Sequence, residues 1–246
     1  MRFYIKETIF RIEMKLPITM LSQPDDTTCG PTALHAVLDY YGYSTDLGTV
    51  INDVGRLQDG GTLAVFLGIY ALKLGFSACL FNYNLRVFDP SWKDLDSENL
   101  IRKLDAQITH KRSKKLQTAI RAYVDFLRLG GVIRFDELEP KLIRNLLARK
   151  IPVLTGLSAT YLYSSQREYM NHLNQSVYHD LKGEPMGHFV VLGGMSGSDV
   201  LIFDPYHDNP YKGTKVYHVK MQKLLNSILL GILTYDANLL ILEEIE

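Results

Sequence analysis

The stretch QPDDTTCGPTALHAVLDYYG, Gln23 to Gly42, decides how the rest of the chain is interpreted. Pro31 suits the first turn of a helix, and the apolar residues after it recur at helical spacing up to Gly42, which can end the helix. The stretch therefore predicts a short helix that begins at Cys29. A thiol at the N-terminus of a helix lies beside unpaired backbone N–H groups and the positive end of the helix dipole, which favour thiolate over thiol. Cys29 is thus a candidate nucleophile.

A second stretch, GHFVVLGGMSGSDVLIFDP, from residue 187 to residue 205, predicts two strands joined by a Gly/Ser turn. If the turn centres on Ser196, His188 lies directly opposite Asp204 and the two side chains share a face of the hairpin. A β-bulge would shift this pairing. An imidazole oriented by a carboxylate is the base that a nucleophilic thiol requires.

Attack of a thiolate on a carbonyl creates a negative oxygen that needs hydrogen-bond donors. The backbone N–H of Cys29 can supply one donor, and the side-chain amide of Gln23, six residues upstream, can supply a second. The candidate catalytic residues are therefore Gln23, Cys29, His188 and Asp204. Cys79, inside a predicted strand, is interpreted as a small packing residue.

The glutamine six residues before CGPTAL, followed by GHFVVL and then FDP, resembles the papain-like cysteine peptidases. Within them it is most similar to the bacteriocin-processing branch, which removes double-glycine leader peptides. The resemblance covers roughly residues 21–42 and 151–205. It implies an α+β fold in which the helix bearing the nucleophile packs on an antiparallel sheet bearing His188 and Asp204. It also implies a peptide or protein substrate, with Cys29 as nucleophile, His188 as general base and acid, Asp204 as the orienting residue and Gln23 as oxyanion donor.

Bacteriocin-processing peptidases are usually parts of membrane exporters, whereas this sequence has neither a transmembrane segment nor a P-loop GxxxxGK[ST] motif. The chain is therefore expected to be a stand-alone relative whose substrate is open. Two alternatives use the same residues. An acyltransferase or amidohydrolase would pass the acyl group to another acceptor or act on another amide, and an inactive relative would only bind peptides.

The remainder of the chain is expected to belong to the same domain, residues 1–246, with a helical insertion at about 91–149. Helical patterns also cover residues 62–74 and 221–230, and strand patterns cover 10–16, 76–84, 151–157 and 238–245. The tyrosine-rich segment 158–187 has no clean period and could form a lid over a cleft.

Composition excludes several classes of function. Lys+Arg 27 and Asp+Glu 27 give a formal net charge of zero, and no long basic stripe occurs, which argues against a nucleic-acid partner. Charged residues interrupt every apolar run in the first twenty residues, so neither a signal peptide nor a membrane span is expected, and we expect a cytoplasmic protein. Two cysteines without CxxC spacing predict neither a disulfide framework nor a zinc site. The proposed chemistry needs no cofactor or metal, and the oligomeric state is left open.

Overall fold

The computed structural model of the protein describes residues 13–57, 61–172 and 176–245. Within these segments the strands are β1 Glu13–Lys15, β2 Phe76–Asn82, β3 Val132–Arg134, β4 Val153–Ser158, β5 Glu168–Met170, β6 Ser176–Tyr178, β7 Gly187–Ser196, β8 Asp199–Phe203, β9 Val216–Lys220 and β10 Asn238–Glu244. The α-helices are α1 Cys29–Tyr40, α2 Leu47–Asp53, α3 Ala64–Lys73, α4 Ser97–Ile108, α5 Lys114–Arg128, α6 Pro140–Ala148, α7 Ala159–Tyr163 and α8 Met221–Leu230. Two short 3₁₀ helices, Pro90–Trp92 and Gly231–Thr234, complete the secondary structure of these segments.

Eight strands form one sheet in the order β3-β2-β10-β4-β7-β8-β9, with β1 paired to β7. Every neighbouring pair is antiparallel except β2 and β3. Strands β5 and β6 form a separate two-stranded sheet. The predicted α+β class, with the helix that begins at Cys29 packed on a mainly antiparallel sheet, is confirmed.

Helices cover both faces of the large sheet. On one face, buried side chains of α1, α3, α4 and α5 form a single apolar cluster with Phe189 and Val191 of β7. On the other face, α6 and α8 pack against Val190 and Leu192. Strand β7 is therefore buried on both sides, which is why its sequence is a continuous apolar run instead of an alternating one.

The sequence predicted most of these elements. Most predicted elements lie where their patterns placed them: helices α1, α3, α4, α5, α6 and α8 and strands β2, β4, β7, β8 and β10. The elements that were not predicted are α2, α7, β3, β5, β6 and β9. Of the predicted strand at 10–16, the structure shows Glu13–Lys15, and residues 10–12 lie outside the described segments. The N-cap of α4 is Asp96, whose carboxylate accepts a hydrogen bond from the backbone N–H of Asn99.

The helical insertion does not stand apart from the core. Helices α4 and α5 pack together, and α5 packs on α3, so that Leu104, Ile120 and Phe126 are fully buried in the same cluster as α1. The boundaries 1–246 for one domain and 91–149 for an insertion stay predictions. None of the helices in the described segments is long and apolar enough to cross a membrane.

Candidate active site

Helix α1 begins at Cys29, close to the strand that carries His188. Gly30 permits this approach, because a Cβ at Gly30 would lie 2.3 Å from Thr62 Cγ2 and 3.2 Å from Phe189 Cδ2. The side-chain hydroxyl of the preceding residue, Thr28, donates a hydrogen bond to the Asp25 carbonyl oxygen at 3.0 Å and does not cap the helix. The backbone N–H of Cys29 makes no hydrogen bond to another described residue. The thiol therefore lies at a helix start with an unused donor beside it.

His188, at the start of β7, connects the thiol to a carboxylate. Its side chain is buried, and its Nε2 atom lies 2.8 Å from Asp204 Oδ1. The Cys29 side chain lies beside the imidazole, and its charge and polar contact raise the pKa of His188. Because Nε2 faces Asp204, Nδ1 is the ring nitrogen left for the thiol. The structure thus brings together three of the four predicted residues in the order Cys29, His188, Asp204.

The predicted register of the hairpin is wrong, although the predicted contact forms. Ser196 pairs with Asp199, so the turn centres on Gly197 and Ser198, and the register shifts between Leu192 and Gly194. This bulge pairs Val191 with Phe203.

Continuing that register places Asp204 beside Val190, two residues from His188. His188 and Asp204 are therefore diagonal neighbours, not directly opposite partners. They still project from the same face, because side chains two residues apart share a face, and diagonal neighbours on one face are within reach of long side chains.

Asp204 is completely buried and accepts four hydrogen bonds. Its Oδ1 atom accepts hydrogen bonds from His188 Nε2 and from the backbone N–H of Tyr206, the latter at 2.8 Å. Its Oδ2 atom accepts hydrogen bonds from the hydroxyl groups of Tyr163 at 2.7 Å and Tyr217 at 2.5 Å. Neither tyrosine was predicted from the sequence to contact Asp204. Tyr163 belongs to the tyrosine-rich segment, and Tyr217 lies on β9, which was not predicted.

These contacts set the charges of the pair. Burial by itself raises the pKa of Asp204. The charge of His188 and the hydrogen bonds from His188, Tyr217 and Tyr206 lower this pKa below its usual value. Burial by itself lowers the pKa of His188, but Asp204 and Cys29 together raise it to about 10. At neutral pH the pair is therefore a carboxylate and an imidazolium.

Gln23 lies near the pair but has a different local partner. Its backbone N–H donates to the Pro205 carbonyl oxygen at 2.9 Å, which ties the loop before α1 to the residue after Asp204. Its side-chain Nε2 donates to the Asp25 carbonyl oxygen at 2.8 Å, and its Oε1 is buried with no partner among the described atoms. One N–H of the amide is thus occupied and the second is available.

Two cavities flank this group. The first, which we call the Asp236 cavity, has a volume of 350 Å³. Its wall includes Asp26, Cys29, Leu57, Lys115, Gly187, Phe189, Thr234 and Asp236. The second, which we call the tyrosine cavity, has a volume of 60 Å³. Its wall includes Gln23, Tyr163, Tyr178, His188 and Tyr206.

Asp236 is a buried carboxyl group that the sequence analysis did not single out. Burial raises its pKa to about 7, although a hydrogen bond with Thr234 and the charges of Lys115 and His188 act in the opposite direction. A Cβ at Gly187 would lie 2.0 Å from Asp236 Oδ2, so the carboxyl lies directly over the residue before His188. Only its position in the folded chain, and no motif, could have identified it.

Cys79 lies in β2, away from this group, and is a free thiol. Burial raises the pKa of Cys79 to about 11. This agrees with its interpretation as a packing residue. Across segments 13–57, 61–172 and 176–245, no cluster of three or more His, Cys, Asp or Glu side chains could hold a metal ion.

Comparison with known proteins gives one family match. The model of the Peptidase C39 like family matches residues 15–227, which is most of the chain. A comparison with curated protein sequences gives no match.

Three solved structures resemble the chain at low sequence identity. A putative C39-like peptidase from Bacillus anthracis has 15% identity and a TM-score of 0.48, covering 95% of this chain and 98% of that one. A double glycine motif protease from an AMS/PCAT transporter, in complex with its leader peptide, has 16% identity and a TM-score of 0.43, covering 96% and 100%. The peptidase domain of Streptococcus ComA, a bifunctional ABC transporter, has 13% identity and a TM-score of 0.43, covering 92% and 97%.

Proposed function

Since the chain belongs to the Peptidase C39 like family, we propose that it is a thiol-dependent peptidase that hydrolyses a peptide amide bond through a thioester on Cys29. The observation that carries this proposal is the position of His188 between two groups, with its Nε2 atom 2.8 Å from Asp204 Oδ1 and the Cys29 side chain close enough to raise the pKa of the imidazole. A thiol, an imidazole and an ionised carboxylate in series are the groups that nucleophilic acyl transfer needs.

In the proposed reaction the proton of the Cys29 thiol resides on His188 before the substrate binds. The thiolate attacks the substrate carbonyl carbon and forms a C–S bond. His188 then gives its proton to the leaving amine as the C–N bond breaks, which leaves a thioester. His188 takes a proton from water, the resulting hydroxide attacks the thioester, and the thiol is released with the acid product. Asp204 orients the imidazole and stabilises its positive charge throughout.

The negative oxygen formed in each attack needs donors. We propose the backbone N–H of Cys29, which makes no hydrogen bond to another described residue, and the second N–H of the Gln23 amide. The hydrogen bond of Gln23 Nε2 to Asp25 supports this role, because it fixes the amide beside the start of α1. Gln23→Ala would then slow the reaction by about 100-fold while leaving the ion pair of Cys29 and His188 intact.

Two observations favour hydrolysis over the alternatives. The tyrosine cavity beside His188 opens to solvent and is not a closed, dry acceptor pocket, so water can reach a thioester there. The Cys29 side chain beside His188 argues against a relative that only binds peptides, because such a relative needs no thiol next to the imidazole. We propose a peptide or protein substrate. A leader-type peptide ending in two glycines is the first to test, because the CGPTAL and GHFVVL motifs resemble bacteriocin-processing peptidases.

The test compares the alkylation of the two cysteines by iodoacetamide from about pH 5 to pH 9. Cys29 is expected to react rapidly even at pH 5–6, since its proton is already on His188. Cys79 serves as the internal control, because its raised pKa keeps it a thiol over this range. In His188→Ala the advantage of Cys29 at acidic pH is expected to disappear. A Cys29 that is inert, or that titrates like a free thiol near ~8.5 in the native protein, contradicts the proposal.

A further inference from the structure

The Asp236 cavity contains a carboxyl group that the proposed reaction does not use. Asp236 is 5% exposed, and it lines the same 350 Å³ space as Cys29. Its Oδ2 atom lies over the backbone of Gly187, where any side chain would overlap it. A substrate group that enters this space from the thiol therefore meets a carboxyl group held close to the scissile bond.

We propose that Asp236 is a specificity-determining residue that binds a basic side chain of the substrate next to the scissile bond. This inference rests on the proposed peptidase function of Cys29. It goes beyond the family resemblance, because the family match ends at residue 227 and both Thr234 and Asp236 lie after it. The preference would thus be a property of this chain, and it predicts that a peptide with a basic residue next to the scissile bond reacts faster than a leader that ends in two glycines.

The shape of the cavity suits a long side chain with a charged end. Its volume is about ten times the ~30 Å³ occupied by a water molecule in the liquid, enough for one extended side chain and part of a peptide backbone. Leu57 and Phe189 provide apolar wall against which the methylene groups of a lysine or arginine can pack. Thr234, on the wall of the same cavity, also contacts Asp236 and helps to hold the carboxyl group in place.

The charges around the cavity favour a cation. Its described wall contains two carboxyl groups, Asp26 and Asp236, and one amine, Lys115. Lys115 Nζ lies 5.4 Å from the centre of the Tyr235 ring, and its charge offsets part of the negative charge of Asp236. Asp26 is exposed and its charge is screened by solvent, so the buried Asp236 is the carboxyl group with which a substrate cation would pair. Burying Asp236 without such a partner is unfavourable, and a substrate cation removes that cost.

The titration of Asp236 makes the proposal testable without a mutation. The charged and titratable groups that act on it are Lys115 and Tyr123 on α5 and His188 on β7, and Cys29 and Asp26 lie on the wall of the same cavity. The pKa of Asp236 is about 7, so the group is mostly ionised at pH 8.5 and mostly protonated at pH 5.5. His188, with a pKa of about 10, keeps its proton over this range. A preference for a cation should therefore weaken as the pH falls.

The experiment uses dipeptidyl chloromethyl ketones, which form a thioether with Cys29 as chloride leaves. Two matched probes differ only in carrying lysine or norleucine, which has the same stem without the charge. Each residue is placed next to the ketone and, in a second pair, one position further away. The rate of labelling is followed by the mass of the intact protein, with Cys29→Ala showing that the label is on Cys29.

At one of the two positions the wild-type protein should react with the lysine probe about 10-fold faster than with the norleucine probe at pH 8.5. The ratio should fall several-fold at pH 5.5. In Asp236→Asn the ratio should lie within about 2-fold of unity, whereas Asp236→Glu should keep the preference because the charge remains. Asp26→Asn, which removes the exposed carboxyl group of the same cavity, is the matched control and should keep the ratio.

Equal rates for both probes at both positions in the wild type overturn the inference, and so does a lysine preference that survives in Asp236→Asn. If Asp236→Asn does not fold, the ratio in Asp236→Glu and its pH dependence in the wild type decide the question. Rapid labelling of Cys29 without discrimination leaves the peptidase proposal standing and removes only the role of Asp236. No labelling of Cys29 by any probe overturns both.

Discussion

Asp204 and Asp236 are both buried near His188, yet their protonation differs. Asp204 is 0% exposed and Asp236 is 5% exposed. The pKa of Asp204 lies below its usual value, whereas the pKa of Asp236 is raised to about 7. Burial acts in the same direction on both groups, so the cause of the difference lies in their partners.

Asp204 accepts four hydrogen bonds, one of them from an imidazolium. Among the described side chains Asp236 has one hydrogen-bond partner, Thr234, and the charges of Lys115 and His188 only partly offset the effect of burial. Donors that favour the charged form hold Asp204 ionised, and their scarcity leaves Asp236 ready to take up a proton. The number of hydrogen-bond donors, more than the degree of burial, therefore decides whether a carboxyl group stays ionised, as Asp204 does, or can take up a proton, as Asp236 can.

The largest effect is expected when Asp204 is removed. Asp204→Ala leaves the hydroxyl groups of Tyr163 and Tyr217 and the ring of His188 buried without their common acceptor. The free energy of unfolding should fall by ~3–5 kcal/mol, measured by urea denaturation with far-UV circular dichroism. The matched control is Asp208→Ala, at a side chain that is 79% exposed, which should change it by less than ~0.5 kcal/mol. Equal losses in both variants would show that the four donors do not depend on Asp204.

The second effect is on the pH dependence of stability. Folding raises the pKa of Asp236 from 3.8 to about 7, so between these values the folded protein holds a proton that the unfolded chain has released. The free energy of unfolding therefore falls as the pH rises from about 4 to 7. An asparagine side chain does not titrate in this range, so the Asp236→Asn variant should lack this loss.

Urea denaturation at several pH values from 4 to 8 measures this effect. The stability of Asp236→Asn relative to wild type should increase across this range by up to ~4 kcal/mol, at ~1.4 kcal/mol for each pH unit of the pKa difference. Asp204 titrates in both proteins and cancels in the comparison. Parallel profiles of the two proteins would mean that Asp236 is ionised throughout, as Asp204 is.

The smallest effect is expected from removing one donor of the four. Tyr217→Phe deletes the hydroxyl that donates to Asp204 Oδ2 and leaves Tyr163 on the same oxygen. A hydrogen bond to a charged group contributes ~1.5–3 kcal/mol, and the free energy of unfolding should fall by that amount. Tyr41→Phe is the control, because its hydroxyl donates to a neutral acceptor, the Leu242 carbonyl oxygen, and should cost about 1 kcal/mol. A smaller loss for Tyr217→Phe than for Tyr41→Phe would contradict a charged Asp204.

Local sequence predicted the elements that carry the site. Pro31 and the apolar spacing after it placed the start of α1 at Cys29, and the apolar run with its Gly/Ser turn placed β7 and β8. The register was wrong because the turn centres on Gly197 and Ser198 instead of Ser196, and the bulge in β7 offsets only part of that shift. The contact of His188 with Asp204 survived, because the diagonal position on the same face is also within reach.

The sequence by itself determined which residues could react. Helix and strand periods, and the order of Gln23, Cys29, His188 and Asp204, depend on neighbours along the chain, and those patterns are visible without a structure. The family model matches residues 15–227, a range that contains all four residues.

Only the tertiary structure decided which charges these residues carry and what surrounds them. Tyr163 and Tyr217 contact Asp204 although they lie 41 and 13 residues away in sequence. Asp236, just before the last strand, lies beside Gly187. Burial and the number of donors are properties of the packed molecule, because they arise from contacts between distant segments. The same residue type therefore becomes a stable anion at one position and a titratable group at the other.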